Sequence, residues 1–174
     1  MRSHIPIGVG STGVGSTPLA LIVFVALTAG CHPSDERPGL WLSGKVAAGP
    51  VRDWSFSEEI EEIFVETRTW YGVPHSVTIW GAAQGGQFYL PSLYYGAEEF
   101  PNARFWNRNV VRDLRVRVKI GDRIFEGTAE LVTDESEWNR AAEAFRRKYR
   151  DFEEYGREPG AKWIFLRFEP GSAR

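Results

Sequence analysis

Alternation of apolar and polar residues predicts most of the strands in this chain. Residues 114–120 (LRVRVKI) place four aliphatic side chains on one face and three cations on the other, a period-2 pattern typical of a half-buried strand. Gly121-Asp122 then predicts a type II′ turn, and the antiparallel return places Arg117 opposite Glu126. Apart from the segment 67–92, further strands are predicted at residues 40–46, 63–69, 123–132 and 162–168.

Residues 67–92 are the segment around which the domain is organised. They predict a strand, a Gly/Pro turn, a long strand, a Gly-Gly turn and a third strand. With Gly85 and Gly86 at the centre of the hairpin, Ala83 faces Phe88. The segment is also expected to have one shared apolar face and one region of small residues. The face comprises Val77, Ile79, Phe88 and Leu90, and small residues stand opposite large ones at Gly81, Ala82 and Ala83. The space left at these small residues would hold either a neighbouring side chain or a ligand.

Helical periodicity predicts two helices. Residues 104–111 predict a short one. The longer one opens at Asp134, with Glu137 as its capping partner, and runs to about residue 152. Its apolar stripe consists of Trp138, Ala142, Phe145, Tyr149 and Phe152. The cations near its end (Arg146, Arg147, Lys148, Arg150) predict a solvated face, as do the acids at positions 58, 59, 61 and 62. The element order predicts an α+β domain built on an antiparallel barrel.

Composition limits the functions that need consideration. The 174 residues suit one domain, with 43% hydrophobic and 25% charged residues. The net charge of −2 gives no electrostatic reason to expect nucleic acid as a partner. His75 is the one histidine beyond the N-terminal region, so no His-based metal site and no nucleophile–base pair for hydrolysis is expected.

The N-terminal region has the pattern of an export signal. An apolar run at residues 19–27 precedes Thr28-Ala29-Gly30-Cys31, and it has the length of a signal-peptide core. The four residues resemble the lipobox of bacterial lipoproteins. The resemblance implies a signal peptide at 1–30, cleavage before Cys31, acylation (palmitate) of that cysteine and a tether at 31–39. The domain at 40–170 would then face outward in the cell envelope. An uncleaved signal anchor or a plain secretory signal is the alternative.

Three segments of the domain together resemble the flavin- and deazaflavin-binding split-barrel superfamily. They are Gly72-Val73-Pro74-His75-Ser76, Gly86 to Ser92, and Trp106-Asn107-Arg108-Asn109 before the strand at 114. This superfamily includes pyridoxamine-phosphate-oxidase-like proteins and deazaflavin-dependent nitroreductases. The resemblance implies a split β-barrel, FMN or a deazaflavin as cofactor, and a homodimer.

The resemblance also implies which residues contact the cofactor: His75, Ser76, Ser92, Trp106, Arg108 and Asn109. Two departures concern the cofactor phosphates, which need several cations or amides in one cleft. The superfamily's basic turn is replaced by Thr69-Trp70-Tyr71-Gly72, and Trp106 replaces a lysine. The sequence therefore supports two functions, a membrane-tethered flavin- or deazaflavin-dependent oxidoreductase or a non-catalytic binding lipoprotein on the same barrel. It names no catalytic residue.

Overall fold

The computed structural model describes residues 39–47, 49 and 51–171. The predicted signal peptide, the lipobox with Cys31 and most of the tether lie outside these residues. None of the helices in the described part has both the length and the apolar composition needed to cross a membrane.

The described domain is one antiparallel sheet with three helices, which confirms the predicted α+β class. The path through the sheet is β3-β2-β6-β7-β8-β5-β4, and the short β1 pairs in parallel with β7. The strands are β1 Lys45–Val46, β2 Ile63–Arg68, β3 Pro74–Ile79, β4 Ala82–Gln84, β5 Gln87–Tyr94, β6 Arg115–Ile120, β7 Arg123–Leu131 and β8 Lys162–Pro170. The helices are α1 Phe105–Arg112, α2 Glu135–Lys148 and α3 Phe152–Tyr155, and a 3₁₀ turn spans Ser55–Ser57.

The structure confirms the predicted hairpin turn at Gly85-Gly86 and two predicted cross-strand pairs. Gly85 and Gly86 both have positive φ (61° and 81°), as a two-residue hairpin turn requires. Ala83 pairs with Phe88. Arg117 pairs with Glu126 across β6 and β7, and the side chains form an ion pair (Nε–Oε1 3.3 Å).

The longer predicted helix is divided in two. Asp134 caps α2 by accepting from the Glu137 amide at 2.8 Å. The helix ends at Lys148 instead of near residue 152, and α3 follows separately. Val116, Val118 and Ile120 are buried as expected, but Leu114 lies before β6 and is exposed.

The predicted long central strand is also wrong, because it breaks at Trp80-Gly81. The part before the break, β3, pairs with β2 at one edge of the sheet, and the part after it, β4, pairs with β5 at the other. Two side chains near the end of α2 occupy the backbone groups of Gly81: Tyr149 accepts from its amide (3.0 Å) and Lys148 donates to its carbonyl (2.6 Å). A neighbouring strand therefore finds no free ladder groups at this residue.

Two hydrophobic clusters lie on opposite faces of the shared strands. Phe88 and Leu90 of β5 join Leu166 and Phe168 of β8 inside the barrel, together with residues from β2, β6, β7 and α1. The alternate residues point the other way and pack under α2, among them Tyr89. The barrel cluster also includes Val77 and Ile79 at its edge, so the face expected to join β3 to β5 is confirmed.

The space expected at Gly81 is filled by side chains. A Cβ added there would lie 2.6 Å from Ile63 Cδ1 and 2.7 Å from Phe88 Cζ. Ala82 and Ala83 are buried as well. The space was predicted to hold either a neighbouring side chain or a ligand, and in the structure neighbouring side chains fill it.

Candidate functional site

An open cleft of about 440 Å³ lies between β3, β5 and the start of α1. Its volume is in the range of small-molecule sites. The strands supply one side and the helix the other, because α1 packs across the ends of β2 and β3 next to β5. The lining residues are His75, Val77, Thr78, Ile79, Pro91, Ser92, Leu93, Ala103, Arg104, Phe105 and Trp106.

His75 is the titratable group within the apolar part of the cleft. It lies on the same face of β3 as Val77 and Ile79, and its ring meets Phe105 edge-on (centroids 5.3 Å apart). Its Nδ1 is buried and has no hydrogen-bond partner among the described residues. Burial lowers the pKa of His75 from its usual 6.5, so the imidazole is neutral at pH 7. A buried ring nitrogen without a partner beside an open cleft is suited to a hydrogen bond from a ligand.

Ser92 is held by Asn107, which is not among the six predicted cofactor contacts. The Asn107 amide donates to Ser92 Oγ at 2.7 Å and also to the Tyr94 hydroxyl. Asn107 is completely buried, and its Oδ1 has no partner in the described residues. The available signal was the alternation of β5, which puts Ser92 and Tyr94 on one face.

One cation lines the cleft, and it is already engaged. The Arg104 guanidinium donates twice to the Leu93 carbonyl (Nε 3.2 Å, Nη2 2.8 Å). Arg108 lies outside the lining, exposed on α1 with its guanidinium 5.1 Å from the centre of the Phe105 ring. Nothing in the sequence pattern distinguished Arg104 from the neighbouring arginines.

Of the six predicted contact residues, three come together and three do not. His75, Ser92 and Trp106 line the cleft, and Trp106 is also part of the barrel core. Asn109 lies on the buried side of α1, where its amide donates to Thr67 Oγ1 at 3.0 Å.

Ser76 pairs with Glu66 on the opposite face of β3 from His75. It is buried, and its hydroxyl has no partner in the described chain. Arg108 is adjacent to the cleft rather than in it. The roles of these six side chains as cofactor contacts stay predictions.

The described fold is a split barrel, an architecture shared with solved structures. A protein of unknown function from Agrobacterium tumefaciens strain C58 superposes with a TM-score of 0.52 at 15% identity, over 71% of this chain and 53% of its own. The present chain thus spans about half of that protein. HutZ, the heme storage protein of Vibrio cholerae, superposes with a TM-score of 0.52 at 12% identity, over 68% and 87% of the two chains. These likenesses concern the fold alone.

The match to a family model is more specific than the similarity of fold. Residues 63–162 match the model of the F420H(2)-dependent quinone reductase family, and the chain belongs to that family. The family is named for a reduced deazaflavin, which confirms the expected class of cofactor. No curated protein sequence matches the chain. One further solved structure, described as a domain-swapped dimer, is 21% identical over 62% of this chain and 79% of its own, with a TM-score of 0.48.

The cleft fits the ring system of a deazaflavin better than its phosphates. Val77, Ile79, Pro91 and Phe105 offer apolar surface for a flat ring, and His75 Nδ1 offers an unused hydrogen-bonding atom. Arg104 at the rim is the lining cation, with Arg108 next to it. The residues present therefore suit the group, with fewer cations than a phosphate site normally gathers.

Proposed function

We propose that this protein is a membrane-anchored, extracytoplasmic reductase that binds a deazaflavin in the cleft between β3, β5 and α1. The observation that supports it most is the buried, unpartnered Nδ1 of His75 inside a segment matched by the quinone-reductase family. All lining residues of the cleft lie within the matched segment. The family description supports a quinone as the acceptor.

The residues of the cleft would bind and orient the ring rather than react with it. Val77, Ile79 and Phe105 would exclude water from its faces. His75, neutral at pH 7, would exchange a hydrogen bond with its polar edge, and Arg104 at the rim would neutralise an anionic group of the side chain. A bound reduced deazaflavin supplies a hydride, which together with one proton converts a quinone to a quinol.

Binding is tested by titrating the purified protein with F420 and, separately, with FMN, followed by ligand fluorescence. We expect saturable binding of F420 that weakens at least tenfold in His75→Leu and in Arg104→Gln. Arg157→Gln, an exposed arginine outside the cleft, is the matched control and should bind as wild type. No saturation with either ligand, at concentrations where the protein remains folded, would contradict the proposal.

A second candidate is a binding lipoprotein that keeps the barrel without redox catalysis. It is favoured by the engagement of Arg104 with Leu93 and by the aromatic Trp70-Tyr71 where the superfamily has a basic turn. The two candidates separate in one assay: reduced F420 mixed with a soluble quinone is oxidised faster in the presence of a reductase and at the background rate in the presence of a binder.

The anchor is proposed from the sequence, because Cys31 lies outside the described residues. Its support is the apolar run at 19–27 followed by the lipobox-like Thr28-Ala29-Gly30-Cys31. Growth of expressing bacteria with labelled palmitate should label the wild-type protein and leave Cys31→Ser unlabelled. Label in neither protein would contradict lipidation. A homodimer is proposed as well, and sedimentation of detergent-solubilised protein tests it.

A further inference from the structure

Half of the exposed large hydrophobic side chains of the described residues lie in two short segments. Twelve such side chains are exposed in all. Six of these lie at the β2–β3 turn and along α1 to the start of β6: Trp70, Tyr71, Val73, Phe105, Val111 and Leu114. Trp70 is 76% exposed and Tyr71 54%, and their rings contact each other edge-on at 5.2 Å. Clustered exposed aromatics are unusual on a soluble domain and mark interaction sites.

Direct contacts join the two segments into one surface. Arg112 of α1 donates to the Arg68 carbonyl at the end of β2. His75, just after the turn, meets the Phe105 ring. We call this surface the hairpin–helix patch. It comprises the six hydrophobic residues above together with Arg68, Arg108 and Arg112.

The charge of this region is opposite to that of the whole protein. Residues 67–76 and 104–115 contain five arginines and one aspartate, a net charge of +4, whereas the whole chain carries −2. Arg104, Arg108 and Arg112 are four residues apart, so they follow one side of α1. The aspartate, Asp113, is paired with Arg115 at 2.7 Å. Asp113 also lies within electrostatic reach of Arg68, and Arg112 is engaged with the Arg68 carbonyl. One carboxylate against five arginines still leaves these segments with a net positive charge.

We propose that the hairpin–helix patch docks on the anionic surface of a lipid bilayer. Trp and Tyr prefer the boundary between headgroups and acyl chains, and arginines near such a surface gain about 1 kcal/mol each from its potential. This inference rests on the proposed membrane attachment. Seven residues, 32–38, lie between Cys31 and Gly39, and the eight residue steps from Cys31 to Gly39 reach at most about 28 Å. A domain held that close needs only weak additional contacts to dock.

A second copy of the chain is a less suitable occupant. Two copies meeting through this surface would bring two regions of the same positive charge together. A bilayer rich in anionic lipid has the complementary charge. Docking in this way has a consequence for the site, because His75 and Phe105 border both the patch and the cleft. The edge of the cleft would then face the lipid.

The test places an environment-sensitive fluorophore either on the β2–β3 turn, within the patch, or on the β6–β7 turn, away from it. The full chain carries Cys31→Ser, so the introduced cysteine is its one thiol. Tyr71→Cys reports on the patch, and the exposed Asp122→Cys on the β6–β7 turn is the matched position away from it. Each labelled protein is mixed with vesicles of phosphatidylcholine alone or of equal parts phosphatidylcholine and phosphatidylglycerol. We expect a blue shift at position 71 with the anionic vesicles and none at position 122.

Neutralising single cations of the patch provides the second measurement. Arg68→Gln and Arg108→Gln should each lower partitioning onto anionic vesicles about fivefold. Arg157→Gln should leave it unchanged. The apolar run at 19–27 is common to all these proteins, so the differences report the patch.

Three outcomes would overturn docking: no shift at either position, equal shifts at both, or a shift at 71 without vesicles that grows with protein concentration. The last would assign the patch to a second copy. Failure of docking and failure of the anchor are distinguishable. Palmitate labelling with no response at position 71 removes the docking alone, whereas a response at 71 without palmitate labelling removes the anchor alone.

Discussion

Two cavities of similar size in this domain differ in whether their polar side chains are hydrogen-bonded within the protein. The cleft of about 440 Å³ beside α1 leaves His75 Nδ1 without a partner. The second cavity, about 350 Å³, lies where α2 ends and is lined by Lys148, Tyr149 and Trp80 among exposed acids. There Lys148 donates to the Ser57 and Gly81 carbonyls (2.8 and 2.6 Å).

The difference indicates which cavity is available to a ligand. Tyr149 donates to the Glu61 carbonyl at 2.8 Å, accepts from Gly81, and stacks on Trp80 at 4.6 Å. These bonds hold the break between β3 and β4 in place, so the second cavity is part of the folding framework. The cleft, with unused polar atoms, is the better candidate for binding.

The largest expected effect comes from removing the framework side chain. Tyr149→Ala deletes a buried ring and leaves the Gly81 amide without its partner, so we expect a loss of about 3–5 kcal/mol in the free energy of unfolding. Urea denaturation measures it. Tyr71→Ala, at an exposed tyrosine, should change stability by less than about 0.5 kcal/mol. Equal losses in both variants would contradict the distinction between framework and surface.

Gly81→Ala tests whether the gap opposite Phe88 is filled. The added Cβ would meet Ile63 and Phe88 at 2.6 and 2.7 Å, and overpacking of this kind costs about 1–3 kcal/mol. Thermal denaturation should show it. At Gly39 a Cβ would meet no atom within 4 Å, so Gly39→Ala is the control and should be neutral. An unaffected melting temperature for Gly81→Ala would mean that the space is open after all.

Lys148 should make stability depend on alkaline pH. Burial lowers the pKa of Lys148 to about 8 from 10.5. Between those values the unfolded state binds more protons than the folded state, so the free energy of unfolding rises with pH. After allowance for its partial exposure we expect about 1–2 kcal/mol. Urea titrations at pH 7.5 and 10 on wild type and Lys148→Met should differ by this increment, and parallel pH profiles would refute it.

The smallest expected effect on stability is at the cleft. His75→Leu removes an unpartnered buried nitrogen, so stability should stay constant or rise by up to about 1 kcal/mol at pH 7, while F420 affinity falls. Because burial lowers the pKa of His75 from 6.5, the unfolded state takes up the proton first as pH falls. Wild type should therefore lose stability below pH 6.5 relative to His75→Leu. Calorimetry at pH 5 and 7 checks this, and a large loss at pH 7 would make His75 a framework residue.

Short-range features were predictable because a turn or a period fixes them. Two glycines at 85–86 set the hairpin register, so the pairing of Ala83 with Phe88 followed directly. The position of His75 beside the cleft came from the family resemblance. The contact of Asn109 with Thr67 was not predictable, because Thr67 lies 42 residues earlier on a strand packed beneath the helix.

The basic end of α2 shows the same limit. Its sequence predicts a solvated face, yet Arg147 donates to the Ala83 carbonyl at 2.8 Å and Lys148 is half-buried. Arg147 is nevertheless exposed, so the prediction of a solvated face is wrong for Lys148 alone. One of the two acceptors of Lys148 is the Gly81 carbonyl, which lies at the break of the strand and 67 residues away in sequence.

The sequence by itself determined the turn positions, the α+β class, the family and most of the strands, since alternation, glycine conformation and motif spacing are local properties. It did not determine the break at Trp80-Gly81 or the shortness of β1, which was predicted at 40–46 and spans Lys45–Val46. Tertiary structure decided which polar atoms remained unused. His75 Nδ1 stays without a partner and Lys148 finds two carbonyl acceptors. Both outcomes depend on which backbone groups distant strands and helices leave unpaired, and the packing of the domain decides this. The same packing leaves Trp70 and Tyr71 uncovered at the β2–β3 turn.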